Sequence, residues 1–288
     1  MSTTAHLTTP ILGAVVLAGV LHAGWNAVAH HIPDRRAGMA LIAMGYTVVT
    51  IPLTLLWPVP PAAAWPWIAG SVLTHVAYVF CLLRSYGLGD FSHTYPLARA
   101  VAPLLVVAVG VTVLHQHLEP HSWAGLGMLC GGIVLVAADG HRGGKRTRTA
   151  TLAALATGGF IASYTLIDGI GVQQAPSSLV YLLWVFALQG PLTLIPLAAH
   201  RGPRRLVTDC RPFVALGFAS GVVSLVAYGI VIWAQGQAPG NTGIIAATRE
   251  IGIVFAALIG AVVFRERLGL GRGSGAILAL TGILVLNL

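Results

Sequence analysis

Arg99, Arg249 and Glu250 are charged side chains inside long apolar stretches, and the two arginines stand 150 positions apart. Arginine in hydrocarbon costs ~3 kcal/mol or more, so each should face a partner or a wet cavity. Paired guanidinium groups can hold a carboxylate or phosphate by forked hydrogen bonds, and they can equally neutralise a neighbouring acid. Arg99 has no acid near it in sequence and reads as an anchor for an anionic group. Arg249 adjoins Glu250, which leaves both readings open. Adjacent helical residues point about 100° apart, so Glu250 need not pair with Arg249 and could reach Arg99 instead. Glu250 is also a candidate proton carrier or amine ligand, with a structural ion pair as the plain alternative. Asp168 lies near the end of another apolar stretch, where a carboxylate opposes the helix dipole. It reads first as a solvated interfacial acid and second as a proton site.

His22, Trp25 and Asn26 are spaced i, i+3 and i+4, so a helix places them on one face. Polar residues within a span usually face the bundle interior, and these three read as lining a cavity. Tyr78 and Tyr228 are again 150 positions apart, and Tyr95 is one turn before Arg99. Aromatic walls with polar tips suit small ligands, although packing tyrosines look the same in sequence. His75 is a weaker candidate of that kind. Pro96 and Pro103 should bend the stretch that carries Arg99. His115, His117, Glu119 and His121 alternate in a short polar segment, and they read as solvated side chains rather than metal ligands.

The elements that carry these residues follow from composition. The chain is 56% hydrophobic and 8% charged, with a mean hydropathy of +0.84. Soluble domains carry about 25% charged residues, so this is a membrane protein. The net charge of +8 is scattered through short loops and forms no platform for nucleic acid. The three cysteines form no CxxC and no even-numbered framework. HExxH, P-loop and GxSxG patterns are absent, and neither a cofactor nor a metal is expected. A spanning helix needs ~20 apolar residues. Ten such spans are expected: 10–29, 38–57, 66–86, 93–114, 121–138, 150–169, 178–198, 213–235, 241–264 and 272–288.

Arginine and lysine fall almost wholly in the odd-numbered loops, from Arg35 and Arg36 through Arg265, Arg267 and Arg272. By the positive-inside rule those loops are cytoplasmic, and both termini face outward. Arg99 and Arg249 then lie about 9 Å and 12 Å into their spans, from opposite sides, at 1.5 Å rise per residue. Sliding the chain by 150 positions lays 78–138 onto 228–288 without a gap, matching Gly125 to Gly275 and Gly132 to Gly282. Trp25-Asn26 meets Tyr164-Thr165 at a shorter offset. Five helices per half is an odd number, so the second half should be inverted relative to the first. The expected fold is an all-α membrane protein with ten transmembrane helices in two inverted five-helix repeats, 1–138 and 150–288. A basic cytoplasmic linker, 139–149, joins them. Gly127-xxx-Gly131 and Gly271-xxx-Gly275 permit close helix contacts.

His22-Ala23-Gly24-Trp25-Asn26-Ala27, Tyr95-Pro96-Leu97-Ala98-Arg99, Arg249-Glu250 and Arg265-Glu266-Arg267-Leu268 resemble the drug/metabolite transporter superfamily, in its ten-helix EamA-type branch. One departure is His115-Gln116-His117-Leu118 where the second half has the basic turn, as an outward loop would require. The resemblance implies a central cavity lined by the first, third and fourth helices of each half. It also implies a fifth helix at the periphery or at an oligomer contact. The function expected is secondary transport, as export of a small polar or amphipathic metabolite such as an amino acid or organic anion. The partners are that substrate, the lipid bilayer and a coupled proton carried by Glu250 or Asp168, with no nucleic acid. The expected state is a monomer or homodimer in the bacterial cytoplasmic membrane. A membrane-embedded enzyme acting on a lipid-linked substrate and a non-transporting sensor are the alternatives from other classes. The acids are too few and too spread for the first, and no extramembrane domain supports the second. A reporter fused after Leu288 is expected to be active outside the cytoplasm, and cytoplasmic activity would overturn the orientation.

Overall fold

The computed structural model describes residues 7–29, 32–88, 91–115, 118–139, 148–255, 258 and 269–288. All regular structure among these residues is helical: α1 Thr9–Ala29, α2 Arg35–Thr54, α3 Trp65–Leu88, α4 Phe91–Thr112, α5 Pro120–Asp139, α6 Arg148–Gly171, α7 Ser178–Arg201, α8 Pro203–Cys210, α9 Val214–Gln237, α10 Thr242–Arg249 and α11 Leu270–Leu286. Six stretches are long and apolar enough to cross a bilayer: Thr9–Asn26, Arg35–Thr54, Ala62–Ser85, Arg148–Gln174, Ser178–Arg201 and Pro203–Gln237. Leu97–Thr112, Pro120–Val136 and Gly273–Leu286 are apolar but shorter. Large apolar side chains such as Leu73, Ile195, Val226 and Leu284 point outward, the pattern of a surface solvated by lipid. The chain is a multi-pass membrane protein. The linker residues 140–147, and with them Lys145, lie outside the described residues, as do Gln116 and His117, residues 256–257 and residues 259–268.

Helix ends are fixed by local chemistry. The Asp34 carboxylate accepts from the backbone N–H of Arg36 and of Ala37, capping α2, and Ser177 caps α7 through Val180 N–H. Arg201, at the end of α7, pairs with Asp34 and with Asp209 of α8. Gly202, at φ 84°, turns the chain from α7 into α8. The short α8 buries Leu206 against Ala40, Leu197, Phe80 and Leu83, so it roofs one end of α2, α3 and α7.

Two departures concern the helices themselves. The expected span 241–264 is not one helix at its start: α10 ends at Arg249, and Glu250 and Ile251 form a turn before helix resumes. Glu250 N–H bonds Ala247 O, Ile251 N–H bonds Thr248 O and Ile253 N–H bonds Glu250 O, all three-residue steps in place of the α-helical four. α4, by contrast, runs as a single helix past Pro96 and Pro103, so the interruption falls opposite Arg99 rather than beside it.

The helices meet in reciprocal pairs: α5 with α11, α2 with α7, α4 with α10, α1 with α9 and α3 with α6. α5 and α11 meet glycine on glycine. A Cβ placed on Gly125 would lie 2.7 Å from Gly282 O, and one on Gly132 would lie 2.5 Å from Gly275 O. These are the four glycines matched in sequence, now facing each other crosswise. Of the GxxxG glycines, Gly275 takes part in this contact and a Cβ on Gly131 would meet Leu278 at 3.7 Å, whereas a Cβ on Gly127 meets nothing within 4 Å. α5 and α11 therefore pack on each other rather than presenting two free peripheral faces. Replacing Gly132 or Gly282 with valine is expected to lower stability by about 1–3 kcal/mol or more, because backbone rather than a flexible side chain is in the way. Gly127→Ala should leave the unfolding temperature in detergent unchanged.

Candidate functional site

α1, α2 and α3 meet α6, α7 and α9 around a cavity of about 80 Å³. Its wall is formed by His22, Trp25, Met39, Ile42, Tyr46, His75, Tyr78, Val79, Tyr164, Phe186, Gln189, Thr193, Ser224 and Tyr228. Of the residues singled out in sequence, His22, Trp25, His75, Tyr78 and Tyr228 line it. Asn26 does not: its amide donates to His22 O at 2.7 Å, closing a bond within α1. Tyr95 sits on α4 one turn before Arg99, and its side chain lies outside the described residues. The helices that form the wall are α1, α2 and α3 with α6, α7 and α9. The expected fourth-helix contribution is displaced, because α4 and α10 carry their charges behind the wall.

Those charges form one buried cluster. Arg99 Nε is 2.7 Å from Glu250 Oε2, and Arg249 lies 3.8 Å from Glu250 Oε1. Arg99, Arg249 and Glu250 are 4%, 3% and 1% exposed, so the pairing occurs away from solvent. Of the two readings of Arg99, an anchor for an anionic group and a partner for Glu250, the structure shows the pairing with Glu250. The turn at Glu250 makes this possible, since it swings the carboxylate out of register with Arg249 and across to α4. Gly19 of α1 lets the chain approach: a Cβ there would be 2.9 Å from Arg249 O and 3.2 Å from Gly252 N. Gly158 of α6 does the same at the other arginine, where a Cβ would be 2.7 Å from Ala98 O. His22 joins cluster to cavity, with its Nε2 3.1 Å from Arg99 NH1.

A second polar cluster stands behind the opposite wall. Asp168 is fully buried, which corrects the expectation of a solvated interfacial acid. Tyr181 donates to its Oδ1 at 2.9 Å and Tyr228 to its Oδ2 at 2.5 Å. His75 stacks on Tyr164 at 3.9 Å between centroids and meets Tyr228 edge to face at 5.3 Å. A carboxylate holding phenols from α7 and α9 ties α6 to both helices, and its ligands reach the cavity through Tyr228. The dipole argument fails here because α7 and α9 supply what the end of α6 does not.

The residues missed in sequence are Tyr46, Gln189 and Thr193. The Tyr46 hydroxyl sits beside Gln189 and Thr193, so α2 and α7 contribute a polar shelf to an otherwise aromatic wall. Polar side chains inside apolar spans were the available signal, and in α2 and α7 that signal is diluted by threonines that bond their own helix, such as Thr47 to Ala43 O. Asp168→Leu strands two buried phenols and is expected to cost about 1–3 kcal/mol for each. Asp168→Asn keeps an acceptor and should cost clearly less. Unfolding in detergent measures both, and equal losses would contradict the assigned bonds.

The EamA-like transporter family model matches residues 148–288, from the first residue of α6 onward. A crystal structure of another protein shares the fold over 96% of this chain and 95% of its own, with a TM-score of 0.69 at 18% identity. No curated protein matches the sequence. Polytopic helical architecture and the family match agree: over residues 148–288 the chain belongs to the EamA-like transporter family of the drug/metabolite transporter superfamily.

Proposed function

We propose that this transporter exports a small amphipathic metabolite from a bacterium by alternating access. The site is the cavity between α1–α3 and α6, α7 and α9. In this reading ten spans form two inverted halves, 1–138 and 150–288, linked by 139–149, with both termini outside the cytoplasm. The halves rock about a site near the midplane. The observation that carries the reading is the Arg99–Glu250 pair, which joins α4 to the interrupted α10 directly behind the cavity wall.

Pseudo-symmetry supports the two halves. Gly19 and Gly158 are 139 positions apart, the offset that relates Trp25 to Tyr164, and each admits the backbone beside one arginine of the 150-position pair. The crosswise contacts Gly125 with Gly282 and Gly132 with Gly275 map onto each other under the same operation. The three-residue hydrogen bonds around Glu250 supply a hinge of the kind that short 3-10 stretches provide within helices.

An amino acid or organic anion would reach the guanidinium groups only by displacing Glu250. Recognition in this reading therefore rests on the amphipathic body of the substrate, while Arg99, Arg249 and Glu250 hold the halves together. If export is proton-coupled, Asp168 is the favoured carrier over Glu250, because its ligand Tyr228 is itself part of the wall. The protein works as a monomer or homodimer.

Metabolite profiling of an overexpressing strain against a deletion strain should find at least one small metabolite enriched outside the overexpressing cells. Arg99→Ala should reduce that enrichment about tenfold or more at equal membrane abundance. If no metabolite shifts and Arg99→Ala changes nothing, transport through this site is rejected.

A further inference from the structure

The cavity wall carries a specific chemical signature. Among the described residues, 8 of its 14 members present aromatic rings, and none is Asp, Glu, Lys or Arg. The charges behind the wall have partners of their own: Glu250 meets Arg99 and Arg249, and Asp168 accepts from Tyr181 and Tyr228, while Arg99 also touches His22 of the wall. Three polar atoms of the wall are buried without a hydrogen-bond partner among the described residues: the donor Trp25 Nε1, the acceptor Gln189 Oε1 and, beside Gln189, the hydroxyl Thr193 Oγ1, which can play either part. Buried polar groups are nearly always paired, so an orphan donor and an orphan acceptor on one small cavity point to what the cavity is built to hold.

We propose that the site selects an uncharged, single-ring solute that carries both a hydrogen-bond acceptor, for Trp25, and a hydrogen-bond donor, for Gln189. An amide or lactam attached to or within a ring has this chemistry. Taking an ion into such a cavity costs several kcal/mol of lost hydration when no counter-charge lines the wall. Aromatic faces return only about 0.5–2 kcal/mol of this to a cation and nothing comparable to an anion. Size agrees: at roughly 10–15 Å³ of such volume for each water-sized group, the cavity accepts about six groups, the scale of one ring.

The inference rests on reading this cavity as the substrate site, and the two can fail separately. Binding of benzamide, benzoate, benzylamine and toluene to the full chain in detergent is measured by calorimetry. Benzamide is expected to bind at least tenfold more tightly than benzoate or benzylamine. Trp25→Phe and Gln189→Leu should each weaken benzamide about tenfold while leaving toluene unchanged, which separates lost hydrogen bonds from a damaged cavity. A charged probe binding as tightly as benzamide, unchanged benzamide affinity in both variants, or no binding by any probe overturns the proposal. Vesicle transport supplies the other arm. Benzamide that binds with this dependence but never crosses supports the wall chemistry and counts against transport through it. Arg99-dependent passage of a charged solute with no benzamide binding overturns the wall chemistry and leaves transport standing.

Discussion

A carboxylate shared between two arginines away from water sets the terms for this molecule. A buried charge is tolerated only when it is paired, and removing one partner of such a pair typically costs about 3–5 kcal/mol. Glu250 is 1% exposed and reaches Arg99 at 2.7 Å. The requirement to deliver that carboxylate to α4 accounts for the interruption after α10. It also accounts for the glycine at position 19, where no side chain fits against the backbone of the turn. His22, one helical turn further along α1, then connects the cluster to the cavity. Charge pairing, backbone geometry and cavity position are one linked arrangement.

Asp168 shows the same logic with neutral partners. It draws tyrosines from α7 and α9, so these helices are fixed to α6 by hydrogen bonds rather than by opposite charge. The cavity lies between a charged tie and a phenol-bound acid. Glycine contacts between α5 and α11 close the bundle away from it, where backbone packing needs no polar residue at all.

Much of this was legible in the sequence, and the reasons differ by element. Apolar length marks the spans because a bilayer leaves the backbone no partner outside its own helix. The four glycines matched at 150 positions do face each other between α5 and α11, and the similarly matched Tyr78 and Tyr228 both line the cavity. The partner of Arg99 was visible only as one option among several, because α-helical spacing cannot anticipate a turn at Glu250. Asp168 was misread as solvated because its ligands are distant in the chain, with Tyr228 sixty positions away. Asn26 shares a helix face with His22 but spends its amide on the backbone, a competition that side-chain periodicity does not express. Gln189 and Tyr46 went unnoticed because neither sits in a repeated motif.

The whole arrangement turns on Arg99 and Glu250 acting as a pair between α4 and the turn that follows α10. A double-mutant cycle with Arg99→Leu and Glu250→Leu, read as unfolding free energy in detergent, measures it most directly. The pairing predicts a coupling energy of about 1–3 kcal/mol, with the double variant more stable than the sum of the single losses implies. A coupling energy near zero would contradict it.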